Sequence, residues 1–202
     1  MRSVSHSNRK ELALGKVSLA PKGFMLPLPT VMLSCQLANE QPNIITISWI
    51  GVLASTPPQI GVGIQPKRHS HLIVKESGEF VINVPSADLA KEADYCGHAS
   101  GSKHDKFAEL NLTPEKGLVV SAPIIAECPV NIECKVLQIV NLGSHDLFSG
   151  EIVAIQVDES CLDKDGNPDI IKVNPFAYVP FSRKYVSGLS DLLGVGGFSI
   201  KK

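Results

Sequence analysis

The sequence predicts a mainly β protein, an antiparallel barrel, closed or partly closed, with short helices in its connections. Two observations carry this. Segments rich in Val and Ile recur along the chain, bounded by Gly, Pro, Asn and Asp, which is how strands separated by turns read. Helical patterning is confined to short stretches. The helices of about 10 to 15 residues that alternate with strands in a doubly wound sheet are missing.

In chain order, Thr30–Leu37 (TVMLSCQL), Ile44–Leu53 (IITISWIGVL), Gln59–Ile64 (QIGVGI), Glu79–Val84 (EFVINV), Val130–Val140 and Leu147–Val157 read as strands. Within Ile44–Leu53, taken as one strand, Ile44, Thr46, Ser48 and Ile50 share a face and Ile45, Ile47 and Trp49 the other. Two hydroxyls then lie side by side next to an indole. His69–Ser77 is expected as a short helix closed by Gly78, Ala87–His98 as a second with Ser86 as N-cap, and Asp105–Leu110 as a short turn. The 202 residues favour one domain, with residues 1–14 as an extended N-terminal arm.

Composition narrows the function. With 44% hydrophobic and 19% charged residues, the chain can bury a core. Its net charge is -1, and the 19 basic residues form no stripe interleaved with aromatics, which argues against nucleic acid. No apolar run reaches the roughly 20 residues that cross a bilayer. Met1–Leu12 is polar and mixed in charge, unlike a signal peptide, so a cytoplasmic protein is expected. The five cysteines are irregularly spaced without a C-x-x-C, and reduced, packed thiols are expected.

Several motifs carry less than they suggest. Gly194–Gly197 (GVGG) lacks a helix after it. Asp163, Asp165 and Asn167 imitate a calcium loop, but Pro168 and Asn174 stand where its glycine and glutamate belong, so a solvated turn is expected. His69, His71, His98 and His104 lack carboxylates at ligand spacing, and no metal is expected.

The informative stretch runs from Asn43 to Ser70. Thr46, Ser48, Ser55 and Thr56 supply hydroxyls, Trp49 a wall, and Lys67, Arg68 and Ser70 an anion site opening a short helix. A flavin, with an aromatic ring and a phosphate, needs such groups. Spacing alone leaves the plainer alternative open, since Thr and Ser are ordinary in strands and K-R-H-S is an ordinary surface turn.

An ordered set of motifs adds to this. N-x-x-T-x-S-W, S-T-P-P, R-H-S and G-E-F-V-I-N-V-P are followed by S-G-x-x-x-D-K-F (Ser100–Phe107) and C-P-V-N-I-E-C (Cys128–Cys134). H-D-L-F-S-G-E (His145–Glu151), P-F-A-Y (Pro175–Tyr178) and a terminal G-x-G-G-F-S complete the set. Over about residues 15 to 200 the chain resembles the flavin reductase-like family, flavoredoxins in particular. The resemblance implies a six-stranded, Greek-key antiparallel split barrel, a homodimer, and FMN near the subunit interface. It implies that Thr46, Ser48 and Trp49 touch the flavin and that Arg68 and Ser70 hold its phosphate. Asp105, Lys106 and Phe107, from the same or the partner subunit, would close the site. A solvated helix start is the alternative for Asp105 and Lys106, and turn chemistry the alternative for Asn83. The expected activity is NAD(P)H-dependent flavin reduction, in which the cofactor carries the chemistry and the protein binds and orients it. Two alternatives remain: a flavoredoxin-type carrier exchanging electrons with a redox partner protein, and a cofactor-free barrel that binds a small ligand.

Overall fold

The computed structural model describes residues 15–188. The expected arm at 1–14 and the closing G-x-G-G-F-S motif lie outside the described residues. Seven strands form the main sheet: β2 (Val31–Cys35), β3 (Asn43–Ile47), β4 (Ile50–Ser55), β5 (Pro58–Ile64), β6 (Glu79–Val84), β9 (Val130–Asn141) and β10 (Asp146–Val157). The remaining strands are short: β1 (Leu28–Pro29), β7 (Pro114–Glu115), β8 (Ile124–Ile125), β11 (Ala177–Val179) and β12 (Lys184–Val186). Helices α1 (His69–Ser77), α2 (Ala90–His98), α3 (Lys106–Glu109) and α4 (Ile170–Val173) lie in connections.

The sheet order is β3-β2-β6-β9-β10-β5-β4, and every pairing in it is antiparallel. Its first and last strands, β3 and β4, are separated in the chain only by Ser48 and Trp49. So short a link spans on the order of 10 Å at most. The sheet must therefore curl until its two edges nearly meet; at the link, the Gly63 amide of β5 donates to the Trp49 carbonyl at 2.8 Å and extends the β4–β5 pairing. This is the mainly β barrel that the sequence predicts.

The expected single strand Ile44–Leu53 is corrected by this junction: it is two strands, broken at Ser48–Trp49. Apolar runs cannot signal such a break, because both halves are rich in Ile and Val. Burial on two faces explains why β2 and β3 read as continuous apolar runs. Val31, Leu33, Ile45 and Ile47 enter the barrel core with Val62, Ile64, Phe80, Ile82 and Phe148. Met32 and Ile44 turn outward into a second core with Ala93 and Cys96 of α2, Phe107 of α3, and Phe176. The second core fixes α2 across the end of β3, which is where the site forms.

α1 runs over the residues expected. Gly78, at φ 69, closes it by donating its amide hydrogen to the Val74 carbonyl, a left-handed cap that favours glycine. Its Ile73 and Val74 join the barrel core, and His71 Nε2 meets the Asp146 carboxylate at 2.7 Å. The segment expected as one helix from Ala87 begins as a 3-10 turn, Ala87–Leu89, and becomes α-helical at Ala90. Ser86 precedes it without a side-chain capping bond. Asp105 caps α3 by accepting from the Ala108 amide at 3.1 Å.

Three further features bear on the motifs. Asn83 is fully buried. It donates to the Met32 carbonyl at 2.9 Å and accepts from the Ile125 amide at 3.0 Å and from Asn131 at 2.8 Å. It is thus a hub joining β2, β6, β8 and β9 rather than a turn residue. Asp163 accepts from the amides of Asp165 and Asn167 at 2.8 and 2.9 Å, so that motif is a self-satisfied turn. All five cysteines are free and buried. Burial pushes the thiols of Cys35 and Cys96 up to about 12 and about 11, which keeps both protonated at neutral pH.

Candidate functional site

Where the barrel edges meet, a cleft of about 600 Å³ opens between β3, the β5–α1 connection, α2 and the β11–β12 hairpin. Thr46, Ile47, Ser48 and Trp49 form one wall, Gly97 and His98 of α2 another. Trp49 stacks on His145, with ring centroids 5.8 Å apart and planes 9° from parallel. Burial pulls the His145 imidazole below its ordinary pKa, favouring the neutral ring. The Thr46 hydroxyl donates to the Ala93 carbonyl, tying β3 to α2. Gly97 sits where a Cβ would lie 3.4 Å from the Thr46 Cβ, so this helix-to-strand approach has little room for a side chain.

Beside the cleft lies a smaller pocket of about 160 Å³, lined by Asn43, Lys67, Arg68, Ser70, Ser100, Gly101 and Lys106 among others. Ile45 and Arg68 line both spaces. The Arg68 Nη2 group donates to the Gly97 carbonyl at 2.8 Å, which holds the guanidinium at the junction with its other N–H groups to spare. Asn43 Nδ2 donates to Ser70 Oγ at 2.7 Å. The Lys106 ammonium, 3% exposed, donates to the carbonyls of Ile44 at 2.5 Å and Cys96 at 3.1 Å. Burial, with the Arg68 charge adding to it, pulls its pKa below the ordinary lysine value. His69 and Ser70 open α1, so their amides have no carbonyl one turn back.

The small pocket therefore gathers three cations, two hydroxyls and the start of a helix. That donor set suits a dianion such as a phosphate monoester. The adjoining cleft, walled by an indole–imidazole stack and the Ile45–Ile47 strand edge, suits a flat ring. The residues fit FMN, whose phosphate would be held by Lys67, Arg68, Ser70 and Lys106 and whose ring would lie against Thr46, Ser48 and Trp49.

Of the residues singled out from sequence, Thr46, Ser48, Trp49 and Arg68 line the cleft, while Lys67, Arg68, Ser70 and Lys106 line the pocket. Lys106 reaches the pocket of its own chain. Asp105 is exposed at the α3 cap, and Phe107 is buried in the core around α2; neither lines either space. Ser55 ends β4, paired with Pro58 at the hairpin tip, outside both spaces. Sequence reasoning did not single out Asn43, Gly97, Gly101, Asp94, His98, His145, Tyr178, Arg183 or Tyr185 as site residues. Asn43, Gly101, His145 and Tyr178 stand inside the ordered motifs, which was the one available signal. The others are placed by tertiary packing.

A second cleft of about 480 Å³, on the other side of Trp49, is apolar and lined by Phe24, Met25, Leu53, Leu142 and Leu147 among others. Phe24, Met25, Val52, Leu53 and Leu142 are all exposed.

The flavin reductase-like domain model matches residues 24–185. Among solved structures the chain is similar to the flavoredoxin of Desulfovibrio vulgaris (Miyazaki F), with a TM-score of 0.86 at 37% identity over 91% of this chain and 99% of that one. It is also similar to the flavoredoxin of Methanosarcina acetivorans, with a TM-score of 0.84 at 29% identity over 92% and 99%. A ferric-chelate reductase (NAD(P)H) of Archaeoglobus fulgidus is 31% identical over 106 residues, 52% of this chain and 62% of that one. No helix among the described residues is long and apolar enough to cross a membrane. The barrel, the ring-sized cleft and the match over most of the described chain together make this protein a member of the flavin reductase-like family of flavin-binding split-barrel proteins.

Proposed function

We propose that the chain binds one FMN and acts as an NAD(P)H-dependent flavin reductase, working as a cytoplasmic homodimer. The observation that carries the cofactor reading is the pair of adjoining spaces sharing Arg68, one shaped for a ring and one charged for a phosphate. A compact anion site with a single cation cluster favours FMN over FAD. When bound, the flavin supplies the chemistry, accepting a hydride from reduced nicotinamide and passing the electrons on. The chain's own residues hold and orient. Lys67, Arg68, Ser70 and Lys106 fix the phosphate end, while Trp49, held against His145, walls the ring. Ser48 has no hydrogen bond within the described chain and is free to meet the ring's polar edge.

The likeness to two flavoredoxins favours a second reading, an electron carrier without NAD(P)H activity of its own that serves a redox partner protein. The likeness to a ferric-chelate reductase (NAD(P)H) favours the enzyme. Adding NADH or NADPH anaerobically to the FMN-loaded protein separates them. Rapid bleaching of the flavin absorbance is expected; an unchanged spectrum would leave the carrier. Flavin titration followed by fluorescence quenching tests the cofactor itself, with tighter binding of FMN than FAD at about one flavin per chain expected.

A further inference from the structure

FMN carries one anionic group, and the small pocket supplies cations for it. The far wall of the cleft holds another cation, Arg183, which that assignment leaves over. Arg183 stands in the connection between β11 and β12, where Phe181 and Arg183 take φ values of 68 and 54, a left-handed backbone that side chains adopt at a cost. The connection is anchored. Phe181 packs on Phe24 with ring centroids 4.9 Å apart, and the Lys22 ammonium lies 5.0 Å over its ring.

The acid that shares this wall is already engaged. Asp94 accepts from the Tyr185 hydroxyl at 3.0 Å and lies 3.5 Å from His98 Nδ1. Among the described residues no ion pair or hydrogen bond involves the Arg183 side chain. The rings of Tyr178 and Tyr185, 5.4 Å apart, line the cleft on either side of it in sequence. An exposed arginine and two tyrosines that line one cleft suit a flat molecule that carries phosphate oxygens.

We propose that Arg183, flanked by Tyr178 and Tyr185, forms the subsite for the second reactant, a pyridine dinucleotide whose diphosphate it pairs with. The inference rests on the flavin reading above. It assigns specificity for the donor to the β11–β12 hairpin rather than to the barrel.

The test titrates FMN-loaded protein with NAD⁺ and NADP⁺ by calorimetry. Neither can donate a hydride, so binding is read without turnover. Arg183→Gln is expected to weaken binding about tenfold, the loss of one charge-assisted contact. Arg183→Lys recovers part of it, and Lys184→Gln, on the same hairpin but outside the cleft, binds as the unaltered protein does. FMN affinity and the flavin midpoint potential stay unchanged in all three. The proposal is overturned if the unaltered protein binds neither dinucleotide, or if Arg183→Gln binds as Lys184→Gln does. It is also overturned if Arg183→Gln moves the midpoint potential and not the dinucleotide affinity, which would assign the charge to the reduced flavin. Dinucleotide binding without bleaching by NADH or NADPH removes the hydride step and keeps the subsite. Failure to take up FMN at all overturns the flavin reading, and this inference with it.

Discussion

Arg68 carries the site at the scale of single residues. It is partly buried, tethered by one nitrogen to the Gly97 carbonyl at 2.8 Å, and faces both spaces. A hydrogen bond to a charged group contributes about 1.5–3 kcal/mol, so Arg68→Ala should weaken FMN binding roughly 10- to 150-fold. Lys135→Ala, on the exposed side of β9, should bind FMN unchanged; equal losses in the two would make Arg68 a surface residue only. Gly101 gives a steric counterpart. A Cβ there would overlap the Asn43 side chain, which is buried and bonded to Ser70. Overpacking of this kind costs about 1–3 kcal/mol. Gly101→Ala should therefore lower both FMN affinity and the thermal midpoint, and a variant that binds FMN normally would show that the pocket tolerates the shift.

Among the elements, the segment linking β7 to β8 shows how a connection is held without a ladder of its own. The Glu133 carboxylate, fully buried on β9, accepts from the amides of Leu118, Val119 and Val120 at 2.7, 2.7 and 2.8 Å, and from Gln156 at 3.0 Å. Gly117 passes so close that a Cβ would lie 2.8 Å from Glu133 Oε2. Burial acts to raise the Glu133 pKa, but the hydrogen bonds from these amides and from Gln156 outweigh it and hold the carboxyl below the usual range. Its folded pKa is therefore depressed, so its stabilisation is full above the unfolded value of 4.5 and is lost as pH falls through the folded one. Glu133→Gln turns an amide donor toward three amide donors, at a cost of about 2–3 kcal/mol. Its thermal midpoint at pH 7 should fall by several degrees, and the gap to the unaltered protein should close below about pH 4.5. A gap constant down to pH 3 would show that the charge contributes nothing.

For the whole molecule, the exposed apolar surface around Trp49 is the feature left unexplained by one chain. Phe24, Met25, Leu53 and Leu142 line the apolar cleft there, and Val52 on the same hairpin is 73% exposed. Surface of this kind suits an interface, and the two-fold dimer proposed above would cover it with the same patch on both copies. Sedimentation should give about twice 21.7 kDa. Because the ring cleft and the apolar cleft share Trp49 and His145, FMN and assembly should favour one another. Ligand at a hundred times its Kd adds about 2.7 kcal/mol to the folded state, an increase in thermal midpoint of roughly 5–10 °C at this size. A monomer with full FMN affinity at every concentration would show that each site is complete within one chain.

By itself the sequence determined the β class, the positions of β5, β6, β9, β10 and α1, and the Lys67–Arg68–Ser70 cluster. Those are local properties: β-branched runs between turn residues, and a basic turn followed by a helix that Gly78 ends. The ordered motifs also determined the family. Tertiary structure alone decided that the chain breaks at Ser48–Trp49, because that break exists to carry it between sheet edges that only curling brings together. It decided that Lys106 lines the small pocket while Asp105 caps a helix and Phe107 enters a core, since adjacent residues at the start of a short helix diverge in direction. And it decided which distant residues share the cleft. Arg68, Gly97, His145 and Arg183 are 115 positions apart from first to last, and no local preference of any of them encodes their meeting.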